Sequence, residues 1–142
     1  MKIMIMDGQG GGVGKSLVKE LSERLPKAVC IAVGTNATAT ANMMKGGTSY
    51  GATGENAVVF NSSRVDVIVG PMGIVLPNAM LGEITPKMAE AVSSGGAKLI
   101  LLPMNKCHAM MVGMEKKSLD EYVREAVDRI CEFAAETEKT VG

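Results

Sequence analysis

The sequence predicts an α/β chain, a three-layer Rossmann-like domain on a mostly parallel sheet of four to five strands. Three observations carry that expectation. Short apolar runs alternate with stretches of helical periodicity, which is the pattern of right-handed βαβ units. The first run, residues 2–6, passes through Asp7 into a glycine-rich turn that opens a helix. A hydrophobic fraction of 46% over 142 residues supports one ordinary core, with too little chain for separate cofactor and substrate domains.

Taken in order, residues 2–6 are the first strand. A helix over residues 14–25 follows, with Leu17, Val18, Leu21 and Leu25 on one stripe and Lys19, Glu20, Glu23 and Arg24 on the other; Pro26 ends it. Residues 28–33 form the second strand. Residues 35–64 then hold a short helix rich in Ala, Thr and Met, a turn-rich stretch over 46–54, and a second helix through Val58 to Asn61. The glycine density of 46–54 argues for a surface loop there, in one reading a mobile one.

The third strand is residues 66–70. Residues 71–84 are apolar but broken by prolines and glycines. They suit a buried connection, a lid over a ligand or a self-association surface; the last is preferred, so a homodimer is expected. The next helix has Thr85 as N-cap and Pro86 at its first position and closes at Gly95-Gly96. Residues 98–102 form the fourth strand, and a weaker fifth is placed at 109–114. The last helix opens on a capping box of Ser118 and Glu121, and Leu119, Tyr122, Val123, Ala126, Val127, Ile130 and Ala134 recur as one buried stripe. With no repeat and no boundary signal, one domain over residues 1–142 is expected.

Composition narrows the partners. Lys plus Arg and Asp plus Glu both number 15, so nucleic acid and anionic membranes are set aside. The opening apolar run is strand-sized, too short for a signal peptide or a membrane span. Three scattered cysteines and a single histidine support neither a disulfide framework nor a metal site, which fits a reducing cytoplasm. Twelve methionines, with no tryptophan, imply a core of thioethers and aliphatics.

The chemistry concentrates in Asp7-Gly8-Gln9-Gly10-Gly11-Gly12-Val13-Gly14-Lys15-Ser16. Between a strand and a helix, such a turn lets unpaired amides and the positive end of the helix macrodipole converge on an anion, with glycines admitting close approach. Tight turning needs one or two glycines, and five in residues 8–14 exceed that. The turn is therefore expected to hold a phosphate on its amides, with Lys15 and Ser16 assisting.

Several templates fit locally. Gly8, Gly12 and Gly14 resemble the turn of short-chain dehydrogenases, Gly14-Lys15-Ser16 ends like a P-loop, and residues 11–16 look like the deviant P-loop of partitioning ATPases. The remaining chain lacks their partners: no acid follows the strands ending at Gly70-Pro71 and Leu102-Pro103, and neither Tyr50 nor Tyr122 has a lysine four residues on. A nicotinamide dinucleotide site usually has an acid after the second strand, where this chain has Thr35 and Asn36. Lys45 is the candidate for a 2′-phosphate, and Asp7 would repel phosphates unless a cation intervenes. NAD(P) stands slightly ahead of ATP.

Ligands of open α/β sheets bind beyond the strand C-termini, which adds Gly70, Pro71 and Asn105 to the candidate contacts. Asn105-Lys106-Cys107-His108 groups a nucleophile, a base and polar donors, against the plainer reading of a solvated loop. Cys107 and His108 are the catalytic candidates if the chain is an enzyme. Glu83 is explained by helix N-terminal capping, and Cys30 and Cys131 by packing.

Finally, residues 7–12, 52–57, 70–75 and 81–86 together resemble a bacterial family of short proteins known only as a domain of unknown function. That resemblance spans nearly the whole chain and implies one complete domain, with Glu55, Asn56 and Asn105 inside motifs. It transfers no activity. The expected function is nucleotide or dinucleotide binding, beside two alternatives: a small enzyme using residues 105–108, and an assembly subunit with a purely structural turn.

Overall fold

A strand buried on both faces must read as an unbroken apolar run, because its side chains alternate between two cores. The run Ile3-Met4-Ile5-Met6 does so at the centre of the molecule, as β1 (Lys2–Asp7). The computed structural model describes residues 1–104 and 109–141. After β1 come α1 (Gly12–Arg24), β2 (Val29–Gly34), α2 (Ala37–Met44), β3 (Tyr50–Thr53), α3 (Glu55–Ser62), β4 (Val67–Pro71), a 3-10 turn (Met72–Val75), α4 (Pro86–Ser94), β5 (Lys98–Leu102) and α5 (Leu119–Val141).

The sheet has five strands in the order β3-β2-β1-β4-β5, and every neighbouring pair is parallel. Ile3 stands opposite Cys30 of β2 on one side and Val67 of β4 on the other. Ile3 and Ile5 enter a core with Leu17, Val18 and Leu21 of α1, Met43 of α2, and Val123, Val127 and Ile130 of α5. Met4 and Met6 enter the opposite core with Val58 of α3, Ile74, Met80 and Ile84 of the β4–α4 connection, and Met88 and Val92 of α4. The result is three layers, with thioethers filling both cores.

Local signals set the helix ends. The Thr85 hydroxyl accepts from the Met88 amide at 3.1 Å, with Pro86 in the first helical position. Ser118 accepts from the Glu121 amide at 3.2 Å while Glu121 accepts from the Ser118 amide at 3.4 Å, a reciprocal capping box that opens α5.

One expectation needs correction. The fifth strand is not at 109–114, which forms neither strand nor helix; it is β3, inside the stretch expected to be a surface loop. An edge strand of four residues needs one partner only, and Ile31 to Gly34 of β2 supply it. Gly51 fits there because a Cβ on it would stand 2.3 Å from the Met44 sulfur, so the missing side chain is what lets α2 close over the edge. Residues 71–84, weighed as a buried connection, a lid or a self-association surface, bury Ile74, Ala79, Met80 and Ile84 in the second core and leave Leu81 98% exposed.

From β1 the chain moves outward through β2 to β3, then crosses to β4 and β5 on the other side of β1. The connections leaving β1 and β4 therefore diverge to opposite faces, which opens a crevice at their C-terminal ends. Residues 8–11 stand over it, and the β4–α4 connection closes back onto them.

Candidate functional site

Backbone polar groups away from water must be paired, so the glycine turn can be read as an account of donors and acceptors. Its carbonyls are all spoken for. Gly8 O accepts from the Gly11 amide at 2.9 Å, Gln9 O from Asn36 Nδ2 at 3.0 Å, Gly10 O from Asn42 Nδ2 at 2.8 Å, and Gly11 O from the Lys15 amide at 2.9 Å. Two asparagines of the β2–α2 region thus pull the carbonyls inward.

The amides divide. Asp7 is 2% exposed, and its two oxygens accept from Gly8 N and Gly14 N, each at 2.8 Å. Asp7 so acts as the cap of α1 from the end of β1, a task usually done by the residue just before the helix. Gln9 N donates to Glu83 Oε1 at 2.9 Å. Among the described residues, no hydrogen bond is donated by the amide of Gly10 or of Gly12. A Cβ on either glycine would meet nothing within 4 Å, so both stand on an open face. Gly11 between them holds a left-handed φ of 72°, and a Cβ there would stand 2.6 Å from the Ala39 carbonyl oxygen.

Glu83 is the residue that sequence reasoning missed. Its Oε1 gathers Thr35 Oγ1 at 2.6 Å, Asn36 Nδ2 at 2.8 Å and the Gln9 amide. It ties the β4–α4 connection to the ends of β1 and β2, with Met80 buried beneath it against Gly8. The only sequence signal was a carboxylate in an apolar stretch, which helix capping explained; Thr85 does that capping.

The two carboxylates differ in charge behaviour. Burial pushes Asp7 upward from its ordinary value, the Gly14, Gly8 and Val13 amides offset part of this, and the nearby Glu83 charge adds to the rise. Burial would also raise Glu83, but the bonds from Thr35, Gln9 and Asn36 together outweigh it and lower the carboxyl below its ordinary value. Glu83 is therefore the fixed negative charge at this edge.

The remaining candidates are distributed as follows. Lys15 is exposed and Ser16 half-buried in and just beyond the first turn of α1. Thr35 and Asn36 are half-buried at the β2 end, where Asn36 Oδ1 also caps α2 through the Ala39 amide at 2.8 Å. Gly70 and Pro71 lie buried inside β4, and a Cβ on Gly70 would stand 2.3 Å from the Met6 carbonyl oxygen. Asn105, Cys107 and His108 lie outside the described residues. Lys45 caps the far end of α2, about 12 Å of helix from Asn36. A cavity of about 290 Å³ lined by Val18, Ser22, Cys30, Thr48 and Tyr50 sits at the opposite edge of the sheet, away from the strand C-termini.

A family described as a domain of unknown function (DUF3842) matches residues 2–135. No curated protein matches the chain. Among solved structures, it is similar to the dodecameric FMN-dependent Ubix-like decarboxylase from Escherichia coli O157:H7, with 19% identity, a TM-score of 0.48, and coverage of 91% of this chain and 75% of that one.

Proposed function

The chain belongs to the DUF3842 family of unknown function, and from that premise we propose that it binds a nucleotide or dinucleotide at the crevice between β1 and β4. One observation carries this reading: the Gly10 and Gly12 amides, left without acceptors on an open face at the start of α1, stand at the switch point of an all-parallel sheet. The phosphate rests on these two amides, with Lys15 and Ser16 beside them. Asp7 beneath the turn is already held by amides on both oxygens, which spares the phosphate a free carboxylate and leaves Asp7 unsuited to hold magnesium. β4 and β5 end at Pro71 and Leu102 with no acid there for a metal-bound triphosphate, so NAD(P) stands ahead of ATP.

The test is a thermal-shift panel with NAD, NADP, ATP, GTP, FMN and coenzyme A, each with and without magnesium. A ligand at a hundredfold its dissociation constant stabilises the native state by about 2.7 kcal/mol, a shift of several degrees in a domain of this size. Gly12→Asp keeps the fold, since a carboxylate at the start of a helix is favourable, but places a charge where the phosphate sits and removes the shift. No shift with any ligand, in protein free of co-purified nucleotide, overturns the reading; so does a Gly12→Asp protein that still responds.

A second reading has its own observation. Leu81 is 98% exposed, and Met110 is 91% exposed on the segment after β5. Both suit a homodimer surface, for which sedimentation of wild type against Leu81→Ser is the check.

A further inference from the structure

We propose that Glu83 selects the sugar of the bound nucleotide, its carboxylate accepting the hydroxyls of an unphosphorylated ribose and turning away a ribose 2′-phosphate. This rests on the nucleotide reading above. Three donors, Thr35 Oγ1, Asn36 Nδ2 and the Gln9 amide, all converge on Oε1, and among the described residues none donates to Oε2. One oxygen fixes the carboxylate and the other keeps its acceptor capacity.

The position matters as much as the free oxygen. Thr35 and Asn36 follow β2, so the carboxylate they hold stands where folds of this topology place an acid for the ribose hydroxyls. Here the acid arrives from the β4–α4 connection and not from the chain that follows β2. Gln9 ties the same carboxylate to the turn that holds the phosphate, and Gly10 next to it faces open space. One continuous edge thus offers amides for the phosphate and, beside them, a carboxylate for the adjoining sugar.

Discrimination follows from charge. A 2′-phosphate beside an ionised carboxylate is a like-charge contact, and a site that accepts it needs a cation. Among the described residues Glu83 has no ion pair, and Lys45 lies at the other end of α2. The hydrogen bonds on Oε1 hold Glu83 in its charged form at neutral pH.

The experiment titrates wild type and Glu83→Gln with NAD and NADP by calorimetry. Glutamine keeps an Oε1 acceptor for the three donors and loses the charge. Wild type is expected to prefer NAD by about tenfold or more, and Glu83→Gln to reduce that preference to about threefold or less. Should Glu83→Gln not fold, wild type decides alone, with 2′-deoxy-ADP expected to bind about tenfold more weakly than ADP. Equal affinity for NAD and NADP in wild type, or a preference unchanged in Glu83→Gln, overturns the assignment while leaving nucleotide binding in place. Failure of every nucleotide to bind overturns nucleotide binding itself, and this assignment falls with it.

Discussion

Asp7 and Glu83 stand at the same edge of the sheet, and their titrations act on stability with opposite signs. Asp7 has a folded value raised above its unfolded one, so its contribution is fully present in acid and is lost as pH rises through the raised value. Glu83 has a lowered value, so its contribution is present above the ordinary carboxylate range and is lost as pH falls through the lowered value. Asp7→Asn should cost about 1–3 kcal/mol by presenting an NH2 group to amides that need an acceptor, with the cost shrinking toward neutral pH. The cost of Glu83→Gln should shrink toward acid. Urea unfolding of both variants between pH 3 and pH 8 checks this, and parallel profiles would contradict it. Asp7 was visible in the sequence as a charge beside the expected phosphate. Its capping of α1 was not, because that depends on how far β1 runs before the chain turns.

The glycine turn and the β4–α4 connection are the two elements that make the site, and each holds backbone in the left-handed region. Gly11 needs its φ of 72° and the closeness of Ala39, whereas Gly12 begins α1 over open space. Gly11→Ala is expected to lower stability by about 1–3 kcal/mol. Gly12→Ala should fall within about 1 kcal/mol of wild type, on the stabilising side, because the unfolded chain loses freedom. Thermal melts of the pair separate a glycine required by the fold from one required by the ligand. In the connection, Asn78, Met80 and Leu81 have φ of 68°, 58° and 57°. Leu81 buries nothing to offset this, so Leu81→Gly should raise stability by about 0.5–1 kcal/mol; a loss would mean that the side chain has a partner in solution.

These elements also show what the sequence could reveal. α1, α4 and α5 followed from apolar stripes and caps, and four strands from their runs, because those signals are local. β3 was hidden because its four residues include Gly51 and it gains its stability from β2 and Met44. Residues 109–114 read as a weaker fifth strand and pair with no strand among the described residues.

At the scale of the whole molecule, function follows from the order of the strands. Placing β1 between β2 and β4 puts α1 and α2 on one face and α3 and α4 on the other, and brings residues distant in sequence to one edge: Asp7, Asn36, Asn42 and Glu83 meet there through hydrogen bonds to the turn. Periodicity predicts the layers. It does not predict that a carboxylate after β4 will reach the end of β2, which is why Glu83 was assigned to a helix cap. Within the described residues, no helix is long and apolar enough to cross a membrane.

The division of the turn's amides into two left open and the others paired internally is the claim on which the functional reading stands. It can be measured amide by amide, in ¹⁵N-labelled protein titrated with NAD and followed by heteronuclear NMR. The Gly10 and Gly12 resonances are expected to shift furthest with saturating ligand, while those of Gly8 and Gly14, bonded to Asp7, move little. If NAD and the other nucleotides leave Gly10 and Gly12 unmoved, or if the largest shifts map to the opposite edge of the sheet, the glycine turn is structural and the site lies elsewhere.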